Sequence, residues 1–449
     1  MRDASSRRSG RRRFSFDTRR VSKTCVSATD PDQTAVQAAG AQPGQHVVHR
    51  RFSYRTVVSQ PVSGFNRPVL ELFQMRKLIV SLLVLMLFSQ SALSAEAGAT
   101  QVAGLANAKA NAGRWSWIPR DDVICRDGST TGIGVRLVPD TKAVMIYLQG
   151  GGACYDAKSC GQNANTPIAG KNYPYEKFRE WTETLGDQGI FNTRNPSNPV
   201  AGWNHIYVPY CTGDLHGGDK SNASIAGVPG KQQFVGYRNV QNILQLLAPY
   251  FKGAEDIALV GASAGGFGVL INYPQVTEAF NGRSVAALVD SAPIIPESSI
   301  RTSCFQRKVT TTFDLQLPDD CPECADPSAG GFLNLYSYLS HSYPQGRYAF
   351  ASADADLAGV ILYNDESRAC GGSGVNIFNY RFSLYALRDK HIGRDWATYL
   401  PGGLQHTMTQ SDALFLNRVY GGVSAAEWLA RINAETPSHV PAARLQPSK

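Results

Sequence analysis

Apolar residues recur along this chain in two spacings. Short apolar runs at 143–148, 205–210, 257–260, 285–289, 348–351 and 396–400 read as buried strands. Residues 237–251 instead bring Val240, Ile243, Leu244, Leu247 and Tyr250 to one side of a helix. Strands alternating with helices predict an α/β fold, a mostly parallel sheet with helices on both faces, whose ligand crevice opens at the carboxyl ends of the strands. Stretches rich in glycine and asparagine at 161–172 and 214–230 read as long surface loops, and no internal repeat is visible.

One apolar run has a different meaning. Residues 78–88 are almost unbroken in apolar character, follow the basic Met75-Arg76-Lys77, and lead into small residues up to Ala95. That is the layout of a secretory signal peptide, and the run is short for a membrane span. The expected organisation is a disordered, non-native extension over 1–74, a signal peptide over 75–95 that begins at Met75, and one large α/β domain over 96–449. The mature protein is then expected to be secreted or periplasmic, a monomer, and without a stable membrane anchor once the signal is cleaved.

Charge follows the same division. The chain carries a formal +8, and residues 1–74 alone hold 13 Lys and Arg against 5 Asp and Glu. The remainder is close to neutral, so the basic balance gives no reason to expect a nucleic-acid partner. An Arg-rich arm that binds RNA or membrane is the rival reading of the extension. Of nine cysteines, Cys25 lies in the extension and eight remain, an even set that predicts a disulfide-stapled secreted domain. Cys154 and Cys160 are near enough in sequence to close a local loop. Cys321-Pro-Glu-Cys324 has the spacing of half a zinc site, but no second pair stands at finger spacing, so neither metal nor cofactor is expected.

The chemistry is concentrated at Asp256–Gly266, where an apolar run breaks into Gly261-Ala262-Ser263-Ala264-Gly265. A strand before this string and a helix after it would put Ser263 on the strained turn from which an α/β-hydrolase presents its nucleophile. A serine hydroxyl needs a base, and the base needs a carboxylate to fix its tautomer; in this fold both follow the serine, acid first and histidine last. His341, His391, His406 and His439 follow Ser263, and His406 stands in a loop after the last strand, whereas His391 sits among charged residues and His439 near a Pro-rich tail. For the acid, Asp354 and Asp356 both lie just past the strand at 348–351; either could equally cap the helix that follows. Oxyanion donors are expected from the backbone of Ala264 and from Gly151 and Gly152 in the Gln149-Gly-Gly-Gly run after the first strand.

These residues resemble the pectin acetylesterase family, which includes Notum-like serine esterases. The resemblance is carried by Cys125-Arg-Asp-Gly-Ser129, Gln149-Gly-Gly-Gly-Ala-Cys154 with Cys160, Trp203-Asn204 through Tyr210-Cys211, Gly261-Ala-Ser-Ala-Gly-Gly266 and Asp290-Ser291. It implies a serine esterase with Ser263 as nucleophile, His406 as base and Asp356, rather than Asp354, as acid, although Gly359 stands where the family has Gln. It further implies removal of acetyl groups from a polysaccharide such as pectin. The family's aromatic block after the oxyanion glycines is reduced here to Ala153, which leaves a lipid or polyester esterase as an alternative substrate class. A catalytically inactive carbohydrate-binding protein and a peptidase of the same fold are the remaining alternatives.

Overall fold

A computed structural model describes residues 104–440 apart from 165–170, 299 and 433–438. The extension, the signal segment and the residues after 440 lie outside the described residues, and so do the expectations about them. Ten strands reach as far as the last predicted run: β1 Ser116–Ile124, β2 Thr130–Arg136, β3 Ala143–Leu148, β4 Asn204–Val208, β5 Lys220–Ala223, β6 Gln232–Phe234, β7 Asp256–Ala262, β8 Val285–Asp290, β9 Arg347–Ala351 and β10 Trp396–Tyr399. Three short ones follow: β11 Val419–Tyr420, β12 Val423–Ser424 and β13 His439–Val440.

The central sheet runs β1-β2-β4-β3-β7-β8-β9-β10-β13. Every pairing from β4 to β13 is parallel, and β1 and β2 add an antiparallel edge. Each inner strand is apolar on both sides because both sides are covered. In β3, Val144, Ile146 and Leu148 face one core and Met145 and Tyr147 the other. The first core is closed by helices α1 (Gly236–Tyr250) and α2 (Ala264–Ala279), through Val240, Ile243, Leu247, Val269 and Val276. On the second, Trp181 stacks on Tyr207 at 3.8 Å between ring centroids, and Trp428 packs at the far end. Two further helices matter for the site, α3 (Leu357–Ala369) and α4 (Ile377–Leu387).

Two predicted loops carry more structure than expected. Residues 214–230 include β5, which pairs antiparallel with β6, and a short helix at Ala157–Ala164 enters the stretch assigned to a loop at 161–172. Neither has an apolar periodicity to betray it: β5 is Lys-Ser-Asn-Ala, exposed along most of its length. Eight cysteines form four bridges, Cys125–Cys211, Cys154–Cys160, Cys304–Cys370 and Cys321–Cys324. The Cys154–Cys160 loop is the one anticipated from spacing. Cys321 and Cys324 are joined to each other, which removes both thiolates from the zinc alternative.

Candidate active site

Register aligns the carboxyl ends of four neighbouring strands. Leu148 pairs with Gly261, Ala262 with Asp290, and Asp290 with Ala351. The first residue past each strand continues the ladder onto its neighbour: Gln149 N–H to Val208 O at 3.1 Å, Ser263 N–H to Asp290 O at 2.8 Å, Ser291 N–H to Ala351 O at 2.7 Å and Ser352 N–H to Tyr399 O at 3.1 Å. The chain therefore leaves the sheet at four adjacent points along one edge. The residues expected to do chemistry follow those points.

Ser263 occupies the turn between β7 and α2 with φ of 54° and ψ of −122°. A non-glycine residue in that region is strained, and the strain projects its side chain clear of strand and helix alike. The glycines around it are required by close approach. A β-carbon at Gly265 would run into the carbonyl of Leu148, and one at Gly150 would run into the carbonyl of Ala262 and lie 2.9 Å from Ser263 Cβ. The Gly150–Gly152 loop and the elbow are thus in backbone contact, which only glycine permits. Ala264 opens α2, so helix geometry leaves its N–H without an intrahelical acceptor.

The loop at Gly151 and Gly152 has φ values of 156° and 75°, and it is braced from below. Tyr210 donates its hydroxyl to Gly152 O at 2.9 Å, Tyr210 N–H donates to Gln149 Oε1 at 2.9 Å, and Cys154 N–H donates to Gly213 O at 2.8 Å. His216 Nε2 lies 2.8 Å from Gln149 O, and since a carbonyl can only accept, that nitrogen carries the proton. Burial pushes the His216 imidazole down to about 4, so it is a neutral brace. Sequence reasoning passed over Tyr210, His216 and the Gln149 side chain as functional supports, and a lone buried His or Tyr gives no periodic signal.

His406 Nδ1 lies 2.7 Å from Asp356 Oδ2. Asp356 is fully buried and is also the N-cap of α3, its Oδ1 accepting Gly359 N–H at 3.1 Å. Capping and orientation, posed as alternatives from sequence, fall to the two oxygens of one carboxylate. Asp354 does not reach the imidazole. Its oxygens accept Gly403 N–H at 3.2 Å and meet Arg381 at 2.9 Å, which anchors the loop leading to His406. Burial alone would lower the His406 pKa, but the hydrogen bond and charge of Asp356, with a further contribution from Asp290, raise it above the ordinary value. Of the other histidines, His205 is buried in β4 against Arg136, His439 on β13 contacts Thr398 of β10, and His341 and His391 lie outside this cluster.

A model of the family described as Pectinacetylesterase matches residues 107–334. The chain belongs to the pectinacetylesterase family. The matched span contains the Gly150–Gly152 loop, the elbow and Asp290, and it ends before Asp356 and His406. Among curated proteins, palmitoleoyl-protein carboxylesterase notum2 of Xenopus laevis is 33% identical over 161 residues, 34% of this chain and 30% of that protein. Palmitoleoyl-protein carboxylesterase NOTUM of Homo sapiens is 28% identical over 192 residues, 40% of this chain and 36% of that protein. The matches thus span about a third of these relatives' length. The crystal structure of the Wnt deacylase Notum from Drosophila superposes with a TM-score of 0.52 at 20% identity, covering 69% of this chain and 90% of that one, which establishes the shared α/β-hydrolase-like fold. Among the described residues no group of three or more His, Cys, Asp or Glu is arranged to hold a metal, and no helix is long and apolar enough to cross a membrane.

Proposed function

We propose that this pectinacetylesterase-family protein is a secreted serine carboxylic-ester hydrolase that removes acetyl groups from a polysaccharide such as pectin through an acyl-enzyme. The observation that carries the reading is the His406 imidazole held by the buried Asp356 on a loop bound to the strand beside the Ser263 elbow. In the proposed cycle Ser263 Oγ attacks the ester carbonyl carbon while its proton passes to His406 Nε2. Backbone N–H groups of Ala264, Gly151 and Gly152 receive the oxyanion. Collapse breaks the bond to the sugar oxygen, which leaves with the proton from His406 as a free hydroxyl. Water then gives a proton to His406, adds to the acyl carbon, and the tetrahedral adduct releases acetate and regenerates Ser263. Four disulfides support an oxidising, extracytoplasmic compartment.

A second reading, esterase action on a longer acyl chain, is favoured by one feature. Leu357 and Ile361 on α3, Phe378 and Phe382 on α4, and Leu404 two residues before His406 are all exposed apolar side chains. The curated relatives are likewise described as palmitoleoyl-protein carboxylesterases. Purified chain beginning at residue 96, assayed against acetyl, butyryl and palmitoyl esters and against peptide amides, separates the readings. Preference for acetyl esters and release of acetate from acetylated pectin are expected. Preference for palmitoyl esters would move the assignment to the second reading, and sugar binding with no hydrolysis of any ester would make the protein a binding module.

A further inference from the structure

Asp290 ends β8, one strand over from the nucleophile, and its side chain is fully buried. Its backbone carbonyl holds the N–H of Ser263, while its carboxylate collects the chain just past His406. Met408 N–H reaches both oxygens at 2.9 and 2.8 Å, Thr409 N–H and Thr409 Oγ1–H reach Oδ2 at 2.8 and 2.7 Å, and Ser291 Oγ–H reaches Oδ1 at 2.9 Å. Ser291 Oγ in turn accepts Thr407 N–H at 3.0 Å. The three amides that follow His406 are therefore all bound by Asp290 and Ser291, and Thr407 and Ser291 are held at φ of 64° and 55°. Strained residues persist where their surroundings over-determine them. Here the carboxylate does so.

A neutral acceptor would fix a loop at lower cost, because burying a charge is expensive unless it is matched. Every group hydrogen-bonded to this carboxylate donates to it, and among the described residues no Lys or Arg pairs with it. We propose that Asp290 is a positioning residue for ester hydrolysis, strapping the His406 loop to the strand beside Ser263 and lending its charge to the imidazolium that forms on His406. The proposal rests on the assignment of Ser263, Asp356 and His406 above. The other charged groups around this loop are already engaged: Asp356 on the imidazole and on Gly359, Asp354 with Arg381 and Gly403, Arg418 on Gly402 O, and Asp412 with Gly189 and Asn192. Consistent with the geometry, Asp290 is one of two carboxylates that raise the pKa of His406.

The test compares Asp290→Asn with the unaltered enzyme, counting competent sites by fluorophosphonate titration and following kcat, KM and the pH profile of kcat/KM. A fall in kcat per titrated site of about tenfold or more, with KM nearly unchanged and the acid limb moved to lower pH, is expected. A variant with fewer competent sites but ordinary kcat and an unmoved limb would make Asp290 a folding residue and overturn the proposal. Should that variant yield no titratable sites, Thr409→Val decides, since it takes one donor from the carboxylate and leaves the charge in place. A loss in kcat of about threefold or more at constant KM is expected there, and full kcat overturns the proposal. Ser263→Ala keeps the two questions apart: loss of activity and labelling in that variant sustains the triad reading whichever way Asp290 falls, and a label on another residue removes that reading itself.

Discussion

Asp356 serves two partners with two oxygens, and the two services can be separated by substitution. An amide at 356 keeps a helix cap, because Asn caps about as well as Asp, so Asp356→Asn is expected to melt close to the unaltered protein. It cannot balance the charge that forms on His406 and favours the wrong tautomer, so turnover should fall by about ten-thousandfold. Asp354→Asn is the control. It retains an acceptor for Gly403 N–H and weakens the pairing with the partly exposed Arg381 and the long hydrogen bond from Tyr385, which predicts a cost of about 1 kcal/mol in stability and turnover within about threefold. Parallel measurement of kcat and Tm decides; a severe kinetic defect at 354 with a mild one at 356 would exchange the roles. The pH profile supplies a further expectation. In the proposed cycle His406 accepts the serine proton only when unprotonated, and its pKa is raised, so kcat/KM should climb through a pH above the ordinary histidine value near 6.5. A limb below that value would contradict the electrostatics of the pair.

Close approach between elements makes a prediction of its own. The start of α2 rests on the end of β3 so tightly that Gly265 has no room for a side chain, and the obstructing atom is the Leu148 carbonyl, which cannot rotate away. Gly265→Ala should cost ~1–3 kcal/mol and most of the activity, since the elbow would have to lift from the end of β3 and the glycine loop that follows it. Gly253→Ala, where nothing lies within 4 Å, should shift stability by less than about 0.5 kcal/mol. Thermal melts of the two variants test this, and equal effects would mean that the contact is not tight. The same distinction explains which elements were legible in sequence. Central strands such as β3 and β7 are buried on both sides and read as unbroken apolar runs. Strand β1 escaped notice because Pro119 and the charged run Arg120-Asp121-Asp122 break its pattern, and an edge strand tolerates both. The turn at Ser263 and the place of His406 in a loop past the late strand were legible because a sharp turn and a chain order constrain them. The strap at Asp290 was visible only as the dipeptide Asp290-Ser291, since hydrogen bonds across 118 residues leave no spacing to read.

At the scale of the whole molecule, cysteine pairing connects the fold to the question of where the native chain begins. The eight cysteines after residue 95 are fully consumed by four disulfides, and the ninth, Cys25, belongs to the stretch that precedes the signal-like segment at 75–95. A protein exported after cleavage near Ala95 should therefore show no reactive thiol when denatured without reductant. A protein that keeps its first 74 residues should show one thiol per chain, or a dimer linked through Cys25. Thiol titration in denaturant, with N-terminal sequencing of the same sample, reads both. If 75–95 is a signal peptide, deleting residues 1–74 should leave export and esterase activity intact, because Met75 then stands at its head. Export that depends on those residues, or a mature N-terminus within 1–74, would show that the extension is native and restore its Arg-rich sequence as an interaction arm. Two thiols in protein lacking the extension would instead mean that one of the four bridges is absent in solution. The Cys321–Cys324 pair is the first to examine, since its loop is the shortest and constrains the unfolded chain least.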